Sequence, residues 1–231
     1  MLNTEFFEKA RRNESFYVPS LQQDVAWSVV ELGDLTVPTG RVCACDPLVD
    51  FEAQPFGFAV APGDYPARLY LAKTDNDERI AYAALWFSSC DVVSWEPALL
   101  EGQDPSKLKP GEFFGYGVDS GTGCFQTPEA LALLNTRMDR ERDYFEQIIQ
   151  TMQSTYAHTR SWARVQPEPS HPLSFLVFST GFGDGFYGTY LGRDASGSPA
   201  CLVTDFDVAY NPEAESAAQV RLSKWWQFWR R

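Results

Sequence analysis

Three short segments combine aspartate with glycine at what read as strand ends: Gly115-Tyr116-Gly117-Val118-Asp119-Ser120-Gly121-Thr122-Gly123, Gly181-Phe182-Gly183-Asp184-Gly185-Phe186-Tyr187 and Val203-Thr204-Asp205-Phe206-Asp207. Glycine permits positive φ and the close approach of another group, and a carboxylate in such a turn caps backbone N–H groups or binds a hard cation. Asp119, Asp184 and Asp205 are therefore the candidate catalytic or metal-ligating residues, with Mg²⁺ or Ca²⁺ as the ion. Tyr187 and Tyr190 would be the hydrogen-bonding groups of the adjoining wall. The same residue types also serve a simpler purpose: Asp184-Gly185 as a hairpin turn, Asp119 as an Asx-turn, Asp205 as a loop cap, and tyrosine alternation as the mark of a half-buried strand.

Other chemistries find less material. His158 and His171 are the only histidines, and Cys43, Cys45, Cys90, Cys124 and Cys201 include no Cys-x-x-Cys pair, which argues against a His-rich zinc centre, a zinc ribbon and a disulfide framework. Asp119-Ser120-Gly121-Thr122 matches the loop of aspartic proteases, but that chemistry needs a second equivalent loop, and the chain has no second copy. Gly121-Thr122-Gly123 is followed by Cys124-Phe125, which does not continue a phosphate-binding loop, and no Gly-x-Ser-x-Gly elbow is present.

The elements that must position these turns are mostly extended. From Ala26 to Val118, short β-branched and aromatic runs alternate with turn formers. Leu69 and Leu71 precede the turn Thr74-Asp75-Asn76-Asp77, and Arg79 to Phe87 is apolar on both parities, which predicts a hairpin whose second arm is covered on both faces. Thr127-Pro128-Glu129 supplies an N-cap, a first-turn proline and an acid at the positive end of a helix dipole. Leu131, Leu134, Met138, Phe145, Ile149, Met152 and Tyr156 then follow at helical steps, bridged by Arg142, which predicts one long amphipathic helix from Thr127 to Ala157. Leu173 to Ser179 and Phe186 to Leu191 read as strands around a glycine turn, and Asp194-Ala195-Ser196-Gly197 turns into a last strand. The expectation is one α+β domain over residues 1–231, with an antiparallel-rich twisted sheet and the long helix packed on it. Residues 1–25 form a helix and lead-in, 26–220 the α+β body and 221–231 a cationic aromatic tail.

Four elements occur in an order that resembles the bacterial domain of unknown function 4241 family. They are Pro62-Gly63-x-Tyr65-Pro66, Val118-Asp119-Ser120-Gly121, Gly183-Asp184-Gly185-x-Tyr187-x-x-Tyr190-x-Gly192-x-Asp194 and Thr204-Asp205-Phe206. The resemblance spans about Arg41 to Phe206 and implies a one-domain bacterial protein. It assigns no reaction and no catalytic role to any aspartate.

Charge suggests the partner. Nineteen Lys and Arg against thirty-one Asp and Glu leave a formal net charge of −12 over 231 residues, a field that repels nucleic acid and anionic lipid and steers in a basic protein. The chain also carries 7 Trp, 10 Tyr and 17 Phe, the residue types that anchor interfaces. The preferred expectation is thus a non-enzymatic protein-binding module without cofactor, of the immunity or toxin-antagonist kind. The alternative is a metal-dependent hydrolase using Asp119, Asp184 and Asp205. Arg221, Lys224, Arg230 and Arg231 surround Trp225, Trp226 and Trp229, which makes the tail either a segment docked on the acidic body or an exposed binding strip. With no signal-like start, no transmembrane run and unpaired cysteines, the expected location is the cytoplasm.

Overall fold

The computed structural model describes residues 2–109 and 111–212; the tail with Trp225, Trp226 and Trp229 lies outside the described residues. The chain begins with α1 (Thr4–Arg11), whose N-cap Asn3 accepts the Phe6 N–H at 3.1 Å. The strands β1 (Phe16–Val18), β2 (Gln23–Val37), β3 (Cys43–Cys45), β4 (Gly63–Lys73), β5 (Glu78–Trp86), β6 (Ser94–Pro97), β7 (Tyr116–Val118) and β8 (Thr122–Gln126) follow. Two helices, α2 (Pro128–Arg140) and α3 (Tyr144–Gln153), separate them from β9 (Trp162–Val165), β10 (Phe175–Ser179), β11 (Gly185–Arg193) and β12 (Pro199–Asp205).

The fold is α+β and its strand pairings are antiparallel. A large sheet runs β1-β2-β4-β5-β12-β11-β6, with β7 also on β11, and a small one runs β3-β8-β10-β9. The hairpin expected around Thr74 joins β4 to β5, closed by the Thr74 N–H donating to the Asp77 carbonyl at 2.9 Å. From Ile80 to Trp86 every residue of β5 is buried, because both faces of the large sheet are covered. On one face α1 sets Phe7 edge-on to Tyr70 and Tyr82, each at 5.3 Å. On the other lies the small sheet, whose Phe178 sits 5.4 Å from Phe125 and 5.9 Å from Phe206 of the segment after β12.

The small sheet alternates accordingly. Ala44, Phe125, Leu176 and Phe178 join the main core, while Cys45, Cys124, Phe175 and Val177 form a second core with α2 and α3. The layers therefore run helix, sheet, sheet, helices. Among the described residues no helix is long and apolar enough to cross a membrane.

The single long helix expected over Thr127–Ala157 is two helices. Its start is as anticipated: Thr127 accepts the Ala130 N–H at 3.2 Å and Pro128 opens the first turn. Helix α2 stops at Arg140, where Glu141 turns extended at φ −129 and ψ 99. A continuous helix would carry Arg142 onto the buried stripe, and burying an unpaired cation costs more than interrupting the helix. The break shifts the phase by one residue, so that Tyr144, Ile148 and Met152 face the core. Phe145 and Ile149 are left 42% and 36% exposed, Tyr156 beyond them 56%, and Arg142 stands in solvent.

An ion-pair network ties the two sheets at the start of β5. Glu78 is 4% exposed, pairs with Lys73 at 2.9 Å, and accepts from Arg160, ahead of β9, through Nε at 2.7 Å and through Nη2. Burial alone would raise its carboxyl; the hydrogen bonds and charges of Lys73 and Arg160 outweigh that and hold it below the usual glutamate value. A depressed pKa contributes stability above the unfolded-state value and loses it as pH falls through the folded-state value. Glu78→Gln is expected to cost about 2 kcal/mol at neutral pH. In urea unfolding followed at several pH values, the gap to the parent chain should close in acid.

Candidate functional site

The three aspartate turns do meet at one end of the sandwich, where β5 and β11 begin and β12 ends. The Thr180 N–H donates to the Gly121 carbonyl at 3.1 Å, which joins the Asp119 turn to the crossing between β10 and β11. Gly185 pairs with Val118 in the β7–β11 ladder, and the Gly181 N–H donates to the Ile80 carbonyl at 3.1 Å. At Gly181, with φ +41, a Cβ would lie 2.6 Å from the Phe206 carbonyl oxygen, so only glycine lets this crossing lie against the β12 exit. The crossing closes on itself as well: Thr180 Oγ1 and Tyr187 Oη both donate to the Gly183 carbonyl, at 2.9 and 2.7 Å.

The carboxylates themselves do not converge. Asp119 and Asp184 are exposed on neighbouring loops. Asp205 is 7% exposed and stands opposite Tyr82 in the β5–β12 register, on the sheet face that carries α1. Its Oδ1 accepts the Asp207 N–H at 3.0 Å, an Asx-type cap of the turn that follows β12. Among the described residues no three His, Cys, Asp or Glu side chains are grouped closely enough to hold a metal ion. Asp119, Asp184 and Asp205 therefore do not share a site for Mg²⁺ or Ca²⁺ in this arrangement.

The tyrosines of the glycine-rich segment are packing residues in this geometry. Tyr187 is 5% and Tyr190 7% exposed, and the Tyr187 ring meets Phe206 edge-on at 5.2 Å. Each ring lies back over the glycine two residues before it: a Cβ on Gly185 would meet the Tyr187 ring at 2.8 Å, and one on Gly188 the Tyr190 hydroxyl at 2.8 Å. Covering a strand glycine with a same-face aromatic restores the apolar contact that the missing side chain forgoes. The spacing of glycine and tyrosine along β11 is thus accounted for by packing. Burial, followed by the charges of Asp207 and Asp184, raises the Tyr187 hydroxyl to about 12.

The carboxylate that organises this end of the molecule is Asp46, which the sequence reading did not single out. It is 1% exposed and lies just beyond β3. Its Oδ2 accepts the N–H groups of Asp119 and Ser120 at 3.0 and 2.9 Å, and its Oδ1 accepts Ser120 Oγ at 2.8 Å and the Leu48 N–H at 3.0 Å. The Asp119-Ser120-Gly121 turn is therefore shaped by a buried carboxylate 73 residues away, and not by Asp119. The available signal was Cys45-Asp46-Pro47, an acid between a strand end and a proline.

What this end presents outward is an aromatic apex among acids. Phe182 is 57% exposed, with the Arg79 guanidinium 5.1 Å from its ring centre. Arg79 is held by Asp77 at 2.5 Å, and Asp77 accepts from Thr159 Oγ1 at 2.6 Å, so Phe182 rests on a braced cation. Asp75, Asp119, Asp184 and Asp207 are exposed on turns at the same end of the sheets.

The chain belongs to the family described as protein of unknown function (DUF4241), whose model matches residues 35–204. No curated protein and no solved structure matches it. The match takes in both sheets from the end of β2 to Thr204 of β12, and the whole of the acidic rim except Asp205 to Asp207.

Removing Asp46 should be far more damaging than removing the aspartate it supports. Asp46→Ala removes the buried acceptor of four hydrogen bonds that shape two turns and is expected to cost about 3 kcal/mol in urea unfolding. Asp119→Ala should stay within about 0.5 kcal/mol of the parent chain.

Proposed function

We propose that the protein is a non-enzymatic binding module that recognises a basic protein partner through the rim formed by the Asp119, Thr180–Asp184 and Asp207 turns, in the manner of an immunity or toxin-antagonist protein. One observation carries this reading: Phe182, more than half exposed, projects from glycine-closed turns, is supported from behind by Arg79, and shares its end of the molecule with exposed aspartates. An exposed aromatic held in one place loses little conformational entropy on docking, which is what makes such residues interface anchors. The acids around it complement a cationic surface, and the overall charge of −12 would accelerate its approach.

The hydrogen bonds of the rim support the same reading. Asp46, Thr180 and Tyr187 spend their polar groups on holding backbone turns in shape, which is what a preformed recognition surface requires. A basic enzyme toxin is the partner class that this surface suits, because an acidic rim would cover the cationic groups with which such an enzyme grips a polyanionic substrate.

Mixing the purified protein with the product of its neighbouring gene, and titrating by calorimetry at several salt concentrations, tests this directly. The expected complex weakens steeply with salt. Phe182→Ala should lower affinity roughly thirtyfold, the equivalent of about 2 kcal/mol at a hot spot. Asp184→Lys should lower it and flatten the salt dependence. A complex indifferent to salt and to both substitutions would refute the assignment.

A further inference from the structure

At the other end of β5, beside α1, the structure holds a cleft of about 480 Å³ that the rim does not involve. Its volume falls within the roughly 300–1,000 Å³ typical of small-molecule sites. The floor is Trp86, with the guanidinium of Arg11 at 5.6 Å and that of Arg68 at 5.9 Å from its ring. The indole N–H donates to Tyr70 Oη at 3.2 Å, which fixes the ring plane. Both guanidiniums are held in place: Arg11 donates through Nε and Nη2 to Glu8 at 3.1 and 2.8 Å, and Arg68 through Nε to Glu31 at 2.8 Å. A guanidinium has five N–H donors, so a carboxylate on one edge leaves donors for a second acceptor.

The walls supply the rest. Pro66 and Val92 give the cleft an apolar side, while the Tyr65 and Phe87 rings, edge-on at 5.2 Å, alternate to the sheet face away from Trp86. The loop after β5 is pinned at both ends, by the Phe87 N–H to the Ala200 carbonyl and by the Val93 N–H to the Arg193 carbonyl, both at 2.8 Å. It brings exposed Asp91 and Cys90 to the cleft, and Asp64 lines it from the start of β4. Each guanidinium is neutralised by its glutamate but keeps N–H donors for a second acceptor, while Asp64 and Asp91 carry unneutralised charge beside them; a simple anion would meet those acids, and a simple cation would leave the remaining donors unused. A molecule bearing both charges satisfies both.

We propose that this cleft binds a small zwitterion, a free α-amino acid or a dipeptide with an apolar side chain. Its carboxylate is received by Arg11 and Arg68 over Trp86, its ammonium by Asp64 and Asp91, and its side chain by Pro66 and Val92. The site is independent of the proposed rim: it lies at the opposite end of β5, and either can fail without the other.

Cys90 provides the assay, since it lines the cleft and is exposed while Cys43, Cys45, Cys124 and Cys201 are buried. Its alkylation by N-ethylmaleimide in the folded full-length protein is followed by mass spectrometry with millimolar free amino acids, glycyl-phenylalanine, its C-terminal amide, its N-acetyl derivative, or inorganic phosphate. The free zwitterions are expected to slow alkylation roughly tenfold at saturation, and Arg11→Gln or Arg68→Gln to weaken that protection roughly tenfold. Asp91→Asn, a change in an exposed loop that leaves the core untouched, should weaken protection by the free dipeptide but not the small protection by its N-acetyl form. No slowing by any zwitterion, equal slowing by the amide or by phosphate, or an Asp91→Asn protein protected like the parent would each overturn the proposal.

Discussion

The two sheets can stack face to face only because the chain passes from one to the other through Thr180–Asp184 without a side chain at its tightest point. Gly181 lies against the Phe206 carbonyl, where a Cβ would come within 2.6 Å of the oxygen. With that approach, Phe178 reaches Phe206 at 5.9 Å and the main core closes between the sheets. The same crossing draws the Asp119 turn alongside through the Thr180–Gly121 hydrogen bond and lifts Phe182 into solvent. Packing at the core and display at the surface are therefore consequences of one close backbone contact.

The acidic residues at the two extremes of burial do different work. Asp46, Glu78 and Asp205 are nearly inaccessible, and each has defined partners: turn N–H groups for Asp46, cations for Glu78, and the Asp207 N–H for Asp205. A buried carboxylate persists only when its charge is met by donors or by opposite charge, so these three are committed to architecture. Asp75, Asp119, Asp184 and Asp207 are exposed and form part of the outer surface. The large negative charge is not spread evenly in its effect: the buried share holds turns and sheets together, and the exposed share supplies the field that a cationic partner would meet.

The two ends of β5 illustrate how one strand serves different surfaces. At its start, Asp77 and Glu78 anchor Arg79 and Arg160 and so connect the hairpin to both the rim and the small sheet. At its finish, Trp86 carries two guanidiniums over its ring, Arg11 steadied by Glu8 of the same helix and Arg68 by Glu31 of β2. Between them the strand is covered on both sides, which is why its composition is apolar on both parities.

Local physics was legible from the sequence. The cap at Thr127, the turn at Thr74–Asp77, the doubly covered β5 and the Asp194 turn, whose carboxylate accepts the Ser196 and Ser198 N–H groups at 2.9 and 3.0 Å, depend on residues a few positions apart. Helical periodicity was legible too, but not its interruption: only the second core decides that keeping Arg142 in solvent outweighs an unbroken helix and that Tyr144 replaces Phe145 on the inner face. Likewise the glycine-rich segment announces a turn, yet nothing local reveals that β10 and β11 belong to different sheets, or that Tyr187 and Tyr190 fold over glycines. The three aspartates were visible; Asp46, which shapes the first of their turns from 73 residues away, was not. Capping, turn formation and periodicity act within a few residues, whereas burial and charge compensation depend on which distant segments come together, and only the folded chain determines that.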